Sequence, residues 1–299
     1  MRTIIICGAT ATGKSDLAVA LAKEIGAEIV NADSMQVYEG MDIGTAKLSV
    51  PERGGIPHHL LDVLSVRQDS TVAWYQEAAR TAIDDIHQRG KDAIIVGGTG
   101  LYIKAIVDDL NFPDTDPVIR SRLELEAIEQ GAAALFARLE KLDPAAALAI
   151  DRANTRRIVR ALEVIEITGQ PFTANLPRQE SSRYPDALHF GLSQDRESLD
   201  IRVSDRVDAM WEAGLVAEVE GLVVTGLREG VTAQKALGYA QVLAMMDGLL
   251  TSDEAREGTK RVTRQYIRRQ DTWFSRDHRL HWLGHYENRL EKILTRINS

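Results

Sequence analysis

Short apolar runs alternate with amphipathic stretches through the first third of the chain. Ile4-Ile5-Ile6 ends in a glycine-rich turn and reads as a buried parallel strand. Leu17, Leu21 and Ile25 recur at i, i+4 and i+8, which predicts a helix over 15–25. Glu28-Ile29-Val30 reads as a second strand, closed by Asn31-Ala32-Asp33-Ser34. Residues 71–89 read as a helix with Gly90 as its stop. Ala93-Ile94-Ile95-Val96 is a further strand, broken by Gly97-Gly98-Thr99-Gly100, and a helix follows over 101–106. Strands alternating with helices predict an α/β fold, a parallel sheet covered on both faces.

The texture changes near Asn111. Phe112-Pro113-Asp114-Thr115-Asp116-Pro117 is a turn-rich boundary. Residues 118–169 are helical and alanine-rich, until Gly169-Gln170-Pro171 and Leu176-Pro177 break the pattern. Residues 188–192 read as a returning strand, followed by amphipathic helices to about Ser275. The expected organisation is an α/β core (1–114 and 188–299) carrying a helical insertion (115–187).

Composition narrows the class. Of 299 residues, 44% are hydrophobic and 27% charged, an ordinary globular balance. No apolar run is long enough for a membrane span, and no charged n-region with an apolar stretch opens the chain, so no membrane partner and no secretory signal are expected. Cys7 is the only cysteine, which excludes internal disulfides and cysteine-rich zinc fingers and suits a reducing cytoplasm. A net charge of −8 argues weakly against nucleic acid, but charge acts locally. Between Arg256 and Arg279 eight basic residues face three acidic ones, and Arg152, Arg156, Arg157 and Arg160 form a second cluster. Each cluster is either a solvated helix face or a phosphate-binding surface.

The sharpest motif is Gly8-Ala9-Thr10-Ala11-Thr12-Gly13-Lys14-Ser15, which fits G-x-x-x-x-G-K-[ST] between a strand and a helix. Its glycines let backbone N–H groups converge on phosphate oxygens, and the helix N-terminus adds positive potential. Lys14 supplies a point charge and Ser15 a metal-facing hydroxyl. The usual ligand of such a loop is ATP, yet nucleotide hydrolases pair it with an apolar strand ending in Asp. Here the candidate strand ends in Gly97-Gly98-Thr99, and Asp33 follows a different strand, so a non-nucleotide diphosphate is equally compatible.

Ligands of open parallel sheets sit outside the carboxyl ends of the strands. The phosphate loop, Asp33-Ser34 and Thr99 should therefore converge. Asp33 reads as a metal-sphere member, a general base or simply a turn residue, and Thr99 as a polar site group or a helix cap. His58 and His59 have no metal-ligand spacing and read as loop or packing residues.

Many blocks in series resemble the tRNA dimethylallyltransferase family, the bacterial tRNA isopentenyltransferases. They are the phosphate loop, Asn31-Ala32-Asp33-Ser34-Met35-Gln36-Val37-Tyr38, Gly40-Met41-Asp42-Ile43-Gly44-Thr45-Ala46-Lys47 and Pro57-His58-His59-Leu60-Leu61-Asp62. Val96-Gly97-Gly98-Thr99-Gly100-Leu101-Tyr102, Arg157-Ile158-Val159-Arg160-Ala161-Leu162-Glu163-Val164, Gly238-Tyr239 and Thr263-Arg264-Gln265-Tyr266-Ile267-Arg268-Arg269-Gln270-Asp271-Thr272-Trp273-Phe274 continue the series in order. Three positions depart from the family's usual pattern: Ala9 stands where Pro is common, Ala240 where Lys or Arg is usual, and Ser275 precedes Arg276 where Arg often follows Phe directly. A zinc finger of the eukaryotic kind is absent from the sequence.

The resemblance implies a P-loop α/β core whose helical insertion embraces the anticodon stem. It implies transfer of a dimethylallyl group from dimethylallyl diphosphate to the exocyclic N6 amine of the adenosine 3′ of the anticodon, in tRNAs reading codons that start with U. Gly8 to Ser15 would hold the diphosphate with Mg²⁺ at Ser15. Asp33 would be the base and Thr99 would line the transfer channel. Asp33, Ser34, Met35, Gln36, Thr99, Arg120, Arg156, Arg157, Ile158, Val159, Arg160, Lys235, Gly238, Tyr239, Arg268, Arg269, Gln270 and Trp273 would face tRNA. A monomer is the expected assembly. Three alternatives stay open. A free-adenylate isopentenyltransferase would not need the insertion, a P-loop small-molecule kinase would turn over nucleotide, and a non-catalytic RNA-binding switch leaves Asp33 and Thr99 without a task.

Overall fold

A computed structural model describes residues 1–175 and 182–299, so the expected break at Leu176-Pro177 lies outside the described residues. The chain divides into two compact units, Met1–Val107 with Tyr184–Ser299, and Asp108–Arg183. The second unit thus begins at 108 rather than 115 and closes at 183 rather than 187. An antiparallel bridge between Asp108 and Ser182 is where the chain leaves and returns.

The first unit opens with β1 (Thr3–Gly8), α1 (Lys14–Ile25), β2 (Glu28–Asn31), β3 (His58–His59), α2 (Val72–Gln88), β4 (Ala93–Gly97) and α3 (Gly100–Val107). The second unit carries α4 (Pro117–Gln130), α5 (Ala132–Leu142), α6 (Pro144–Ala149) and α7 (Thr155–Thr168). The first unit then resumes with β5 (Leu188–Leu192), α8 (Arg196–Glu212), α9 (Leu215–Val224), α10 (Tyr239–Met246), α11 (Ser252–Phe274), β6 (His281–Leu283) and α12 (Arg289–Ile297).

The sheet runs β3-β2-β4-β1-β5-β6, every described pair parallel. Ile5 on β1 sits opposite both Ile95 and His189. Alternation along β1 sends Ile5 and Cys7 to one face, where Tyr75, Ile83, Ile103 and Ile106 cover them. Ile4 and Ile6 go to the other, under Ala18, Leu21 and Ala22 of α1 and Ile293 of α12. Each fully buried aliphatic contributes about 1.5–3 kcal/mol relative to exposure. Burial on both faces is why the central strands β1 and β4 carry unbroken apolar runs.

Two elements follow the helices read to about Ser275. β6 has only three residues, and α12 packs Leu290, Ile293, Leu294 and Ile297 against the α1 layer. His58 and His59 form a two-residue edge strand. His59 Nε2 lies 2.8 Å from the Glu28 carboxylate and His58 Nδ1 lies 2.8 Å from the Ile56 carbonyl, so both imidazoles serve packing. Among the described residues no helix is long and apolar enough to cross a membrane.

In the second unit Leu123, Leu135, Phe136, Leu139, Ile158, Val159 and Leu162 close a separate small core. Asp116 and Asn154 cap α4 and α7 through their side chains.

Candidate active site

The carboxyl ends of β1, β2 and β4 open onto a cavity of about 1260 Å³ within the first unit. Thr10, Ala11, Gly13, Lys14 and Ser15 line it from β1, Asp33 to Gln36 from β2, and Gly97 and Gly98 from β4. The phosphate loop turns into α1 through Gly13, whose φ of +84° belongs to the left-handed region that glycine occupies without strain. Gly8 and Ala9 lie buried at its start. The Thr12 hydroxyl donates to the Ala9 carbonyl at 2.8 Å, and Lys14 Nζ donates to the same carbonyl at 2.6 Å.

Asp33 follows β2 in an Asx turn. One carboxylate oxygen accepts from the Met35 N–H at 2.9 Å, and the other makes no hydrogen bond among the described residues. The Asn31 side chain fixes the turn, accepting from Asp33 N and donating to the Asp33 carbonyl, 3.0 Å each. Thr99 does not cap its helix with its hydroxyl. That oxygen accepts the Ser34 N–H at 3.2 Å, which ties the end of β4 to the turn carrying Asp33. The Gln36 amide donates to the Thr45 carbonyl at 3.0 Å and so holds the cavity wall.

Three cavity residues were not anticipated: Arg202 and Arg206 reach it from α8 and Tyr266 from α11, where Arg269, expected to face tRNA, joins them. Burial, with the neighbouring charge of Arg206, lowers Lys14 to about 8. Arg206 is itself lowered by burial and by Arg202, against the opposing pull of Asp33, and its buried Nε has no hydrogen-bond partner among the described residues. Crowded, desolvated cations are unfavourable until an anion joins them. Burial and the charge of Asp33 push the Tyr266 phenol up to about 12, opposed by hydrogen bonding to Thr99. The signal for the arginines was their i, i+4 spacing, which puts both on one face of α8. On α9 the Glu218 carboxylate accepts from the N–H groups of Asp42, Ile43 and Gly44, at 3.2, 2.7 and 3.3 Å, and pins the opposite wall.

The residues expected to face tRNA fall into two groups. Arg156, Arg157, Lys235, Arg268, Arg269 and Trp273 are exposed. The others pack within the protein. Ile158 and Val159 belong to the apolar core of the second unit, because they lie on the inward side of α7. Tyr239 is buried, its hydroxyl donating to Glu218, and Gly238 is buried at the start of the same helix. Gln270 is 5% exposed and bonded to backbone. Arg120 and Arg160 both turn onto the buried Glu163 carboxylate, and Arg160 also donates to the Pro113 carbonyl at 2.6 Å.

A divalent cation fits the donor set only in one way. Among the described residues no three His, Cys, Asp or Glu side chains gather as a metal cage. Ser15 offers one hydroxyl beside the phosphate loop, which suits an ion that takes most of its ligands from phosphate and water.

Comparison with known proteins assigns this geometry a lineage. The chain is 58% identical over 289 residues to a tRNA dimethylallyltransferase of Thermobifida fusca (strain YX), covering 95% of this chain and 90% of the relative. It is 53% identical over 296 residues to one of Acidothermus cellulolyticus, covering 99% and 92%. The crystal structure of a tRNA isopentenylpyrophosphate transferase from Bacillus halodurans is 38% identical with a TM-score of 0.72, over 99% of this chain and 94% of that one. A eukaryotic dimethylallyltransferase solved acting on tRNA is 27% identical with a TM-score of 0.84, over 100% and 79%. The sequence model of the IPP transferase family matches residues 36–277, and the chain belongs to that family.

Proposed function

We propose that this protein transfers a dimethylallyl group from dimethylallyl diphosphate to the N6 amine of the adenosine 3′ of the anticodon in tRNAs reading codons that begin with U. The observation that carries the reading is the group of desolvated cations, Lys14 and Arg206, beside the half-free carboxylate of Asp33. It supplies an anion site and a base in one cavity. β4 ends in glycine rather than Asp, which favours alkyl transfer over nucleotide hydrolysis.

The chemistry follows from the residues. An exocyclic aromatic amine is a weak nucleophile because its lone pair is delocalised. As its C–N bond forms and the C–O bond to diphosphate breaks, Asp33 accepts the amine proton. Lys14, Arg206 and the N-terminal amides of α1 stabilise the charge gathering on the leaving diphosphate. Mg²⁺ at Ser15 would neutralise part of that charge. Thr99 borders the Asp33 turn and orients it. Because the target base is stacked, it must be flipped into the cavity. Exposed Arg156, Arg157, Arg268 and Arg269 contact phosphates, which positions RNA without specifying sequence. The protein acts as a monomer in the cytoplasm.

The direct test incubates protein, tRNA, dimethylallyl diphosphate and Mg²⁺ and weighs the nucleosides. A dimethylallyl gain on adenosine supports the reading; phosphate release from ATP without prenylation overturns it. Asp33→Ala should cut turnover by about 10²–10⁴-fold while tRNA affinity stays near that of the parent. Near-normal turnover would remove Asp33 as the base.

A further inference from the structure

We propose that Gln270 is a positioning residue that sets the spacing between the phosphate loop and the loop carrying Thr99, and so links helix α11 to catalysis. The proposal rests on the function above. The side chain lies inside the first unit, 5% exposed, and uses both ends of its amide. Oε1 accepts the Thr10 N–H at 2.9 Å, and Nε2 donates to the Gly98 carbonyl at 2.8 Å. One planar group thus spans the loop that holds the donor and the loop that borders the base. Gly98 leaves the room for it, since a methyl there would collide with the amide. Thr99 follows Gly98 directly and receives the Ser34 N–H beside Asp33, so the chain of contacts runs from phosphate loop to base.

Glutamine is the residue this bridge requires. Glu could accept from Thr10 but, ionised, could not donate to Gly98. Asn is one methylene too short to keep both contacts. The bond to Thr10 also diverts one loop N–H from the ligand, leaving anion binding to the amides at the start of α1. The same helix exposes Arg268 on its outer side, presents Arg269 to the cavity, and buries Ile267 and Phe274 on its inner side. An RNA docked on the outer side therefore loads the element whose inner side holds both loops.

Gln270→Glu and Gln270→Met separate this role from its rivals. Both keep the volume of the side chain, and thermal melting identifies any variant that has lost the fold. Prenyl transfer to an anticodon stem-loop should show kcat lowered about 10- to 100-fold in each, the scale expected when reacting groups shift by about an ångström. The Kd for the stem-loop should stay within about twofold, and affinity for inorganic pyrophosphate should weaken several-fold. Relative to the parent at the same pH, Gln270→Glu should recover as pH falls and its carboxyl regains a proton to donate to Gly98, whereas Gln270→Met should not. Parent-like kcat and pyrophosphate affinity in both variants overturns the proposal. So does a stem-loop Kd that weakens as much as kcat, which would make Gln270 an RNA contact, or a pH response identical in the two variants. If the parent itself prenylates no RNA, the proposed function fails, and the pyrophosphate comparison still reports on the bridge.

Discussion

The two basic clusters look alike in sequence and differ in structure. On α7 the charge is split by a buried acid. Glu163 draws in Arg160 from its own helix and Arg120 from α4, leaving Arg156 and Arg157 in solvent. On α11 the split follows helical spacing. Arg256, Lys260 and Arg264, at i, i+4 and i+8, face α8, where Lys260 Nζ lies 2.8 Å from Asp208 and Arg264 donates to Ser204 at 2.7 Å. Arg261, Arg268 and Arg276 are exposed and enter no ion pair among the described residues. A run of basic residues therefore holds two populations, one that builds the protein and one left over for a ligand. Periodicity separates them on α11, but on α7 only the partner acid does.

Breaking the comparison starts at Glu163. Burial raises its carboxyl, but hydrogen bonds from Arg120 and Arg160 outweigh this and hold it below the usual range. A depressed acid stabilises the fold above its unfolded pKa, and that contribution fades as pH falls through the folded value. Glu163→Ala should cost about 3 kcal/mol in urea denaturation at neutral pH, because two arginines lose their partner. Asp253→Ala, at the exposed start of α11, should cost about 0.5 kcal/mol or less. Equal losses would erase the distinction between building and spare charge.

Lys14 tests the same distinction inside the cavity. Its ammonium, lowered to about 8, is charged in the folded protein below that pH and neutral above it. Affinity for inorganic pyrophosphate should therefore fall by about tenfold per pH unit above pH 8, or about 1.4 kcal/mol. Lys14→Arg should remove that break while keeping the ligand's own titration, and calorimetry across pH 7–10 reads both. An unchanged profile would mean that Lys14 does not hold the anion.

The smallest effects sharpen the comparison residue by residue. Arg157→Ala and Arg268→Ala should each flatten the slope of log K for tRNA against log salt by roughly 0.7–0.9. Arg264→Ala, which removes a side chain already engaged with Ser204, should leave the slope as it was. Filter binding across a salt series distinguishes the three.

What was readable in the sequence followed from strong local signals. β1 and β4 are apolar runs bounded by glycine or polar turns, and the phosphate loop is a contiguous motif, so each could be read without its neighbours. Gln270, Glu218 and Arg206 could not. Their roles depend on partners far along the chain: Gln270 is 260 positions from Thr10 and Glu218 is 175 from Ile43. The burial of Ile158, Val159 and Tyr239 was not legible, because a motif says which residues recur together and not which way a helix turns them. β6 was missed because three residues are too few for a period to emerge.

One contact carries a consequence for timing. The guanidinium of Arg289 on α12 donates to the carbonyls of Thr12 and Ser193, at 2.8 and 2.7 Å. The phosphate loop leaves the ribosome well before this brace, which arrives 277 residues later. A nascent chain can close the β1–β4 pairing once β4 has emerged, but its anion cradle stays unbraced until Arg289 follows. Such long-range closure slows folding, so ligand competence should be acquired after the sheet has paired, not with it.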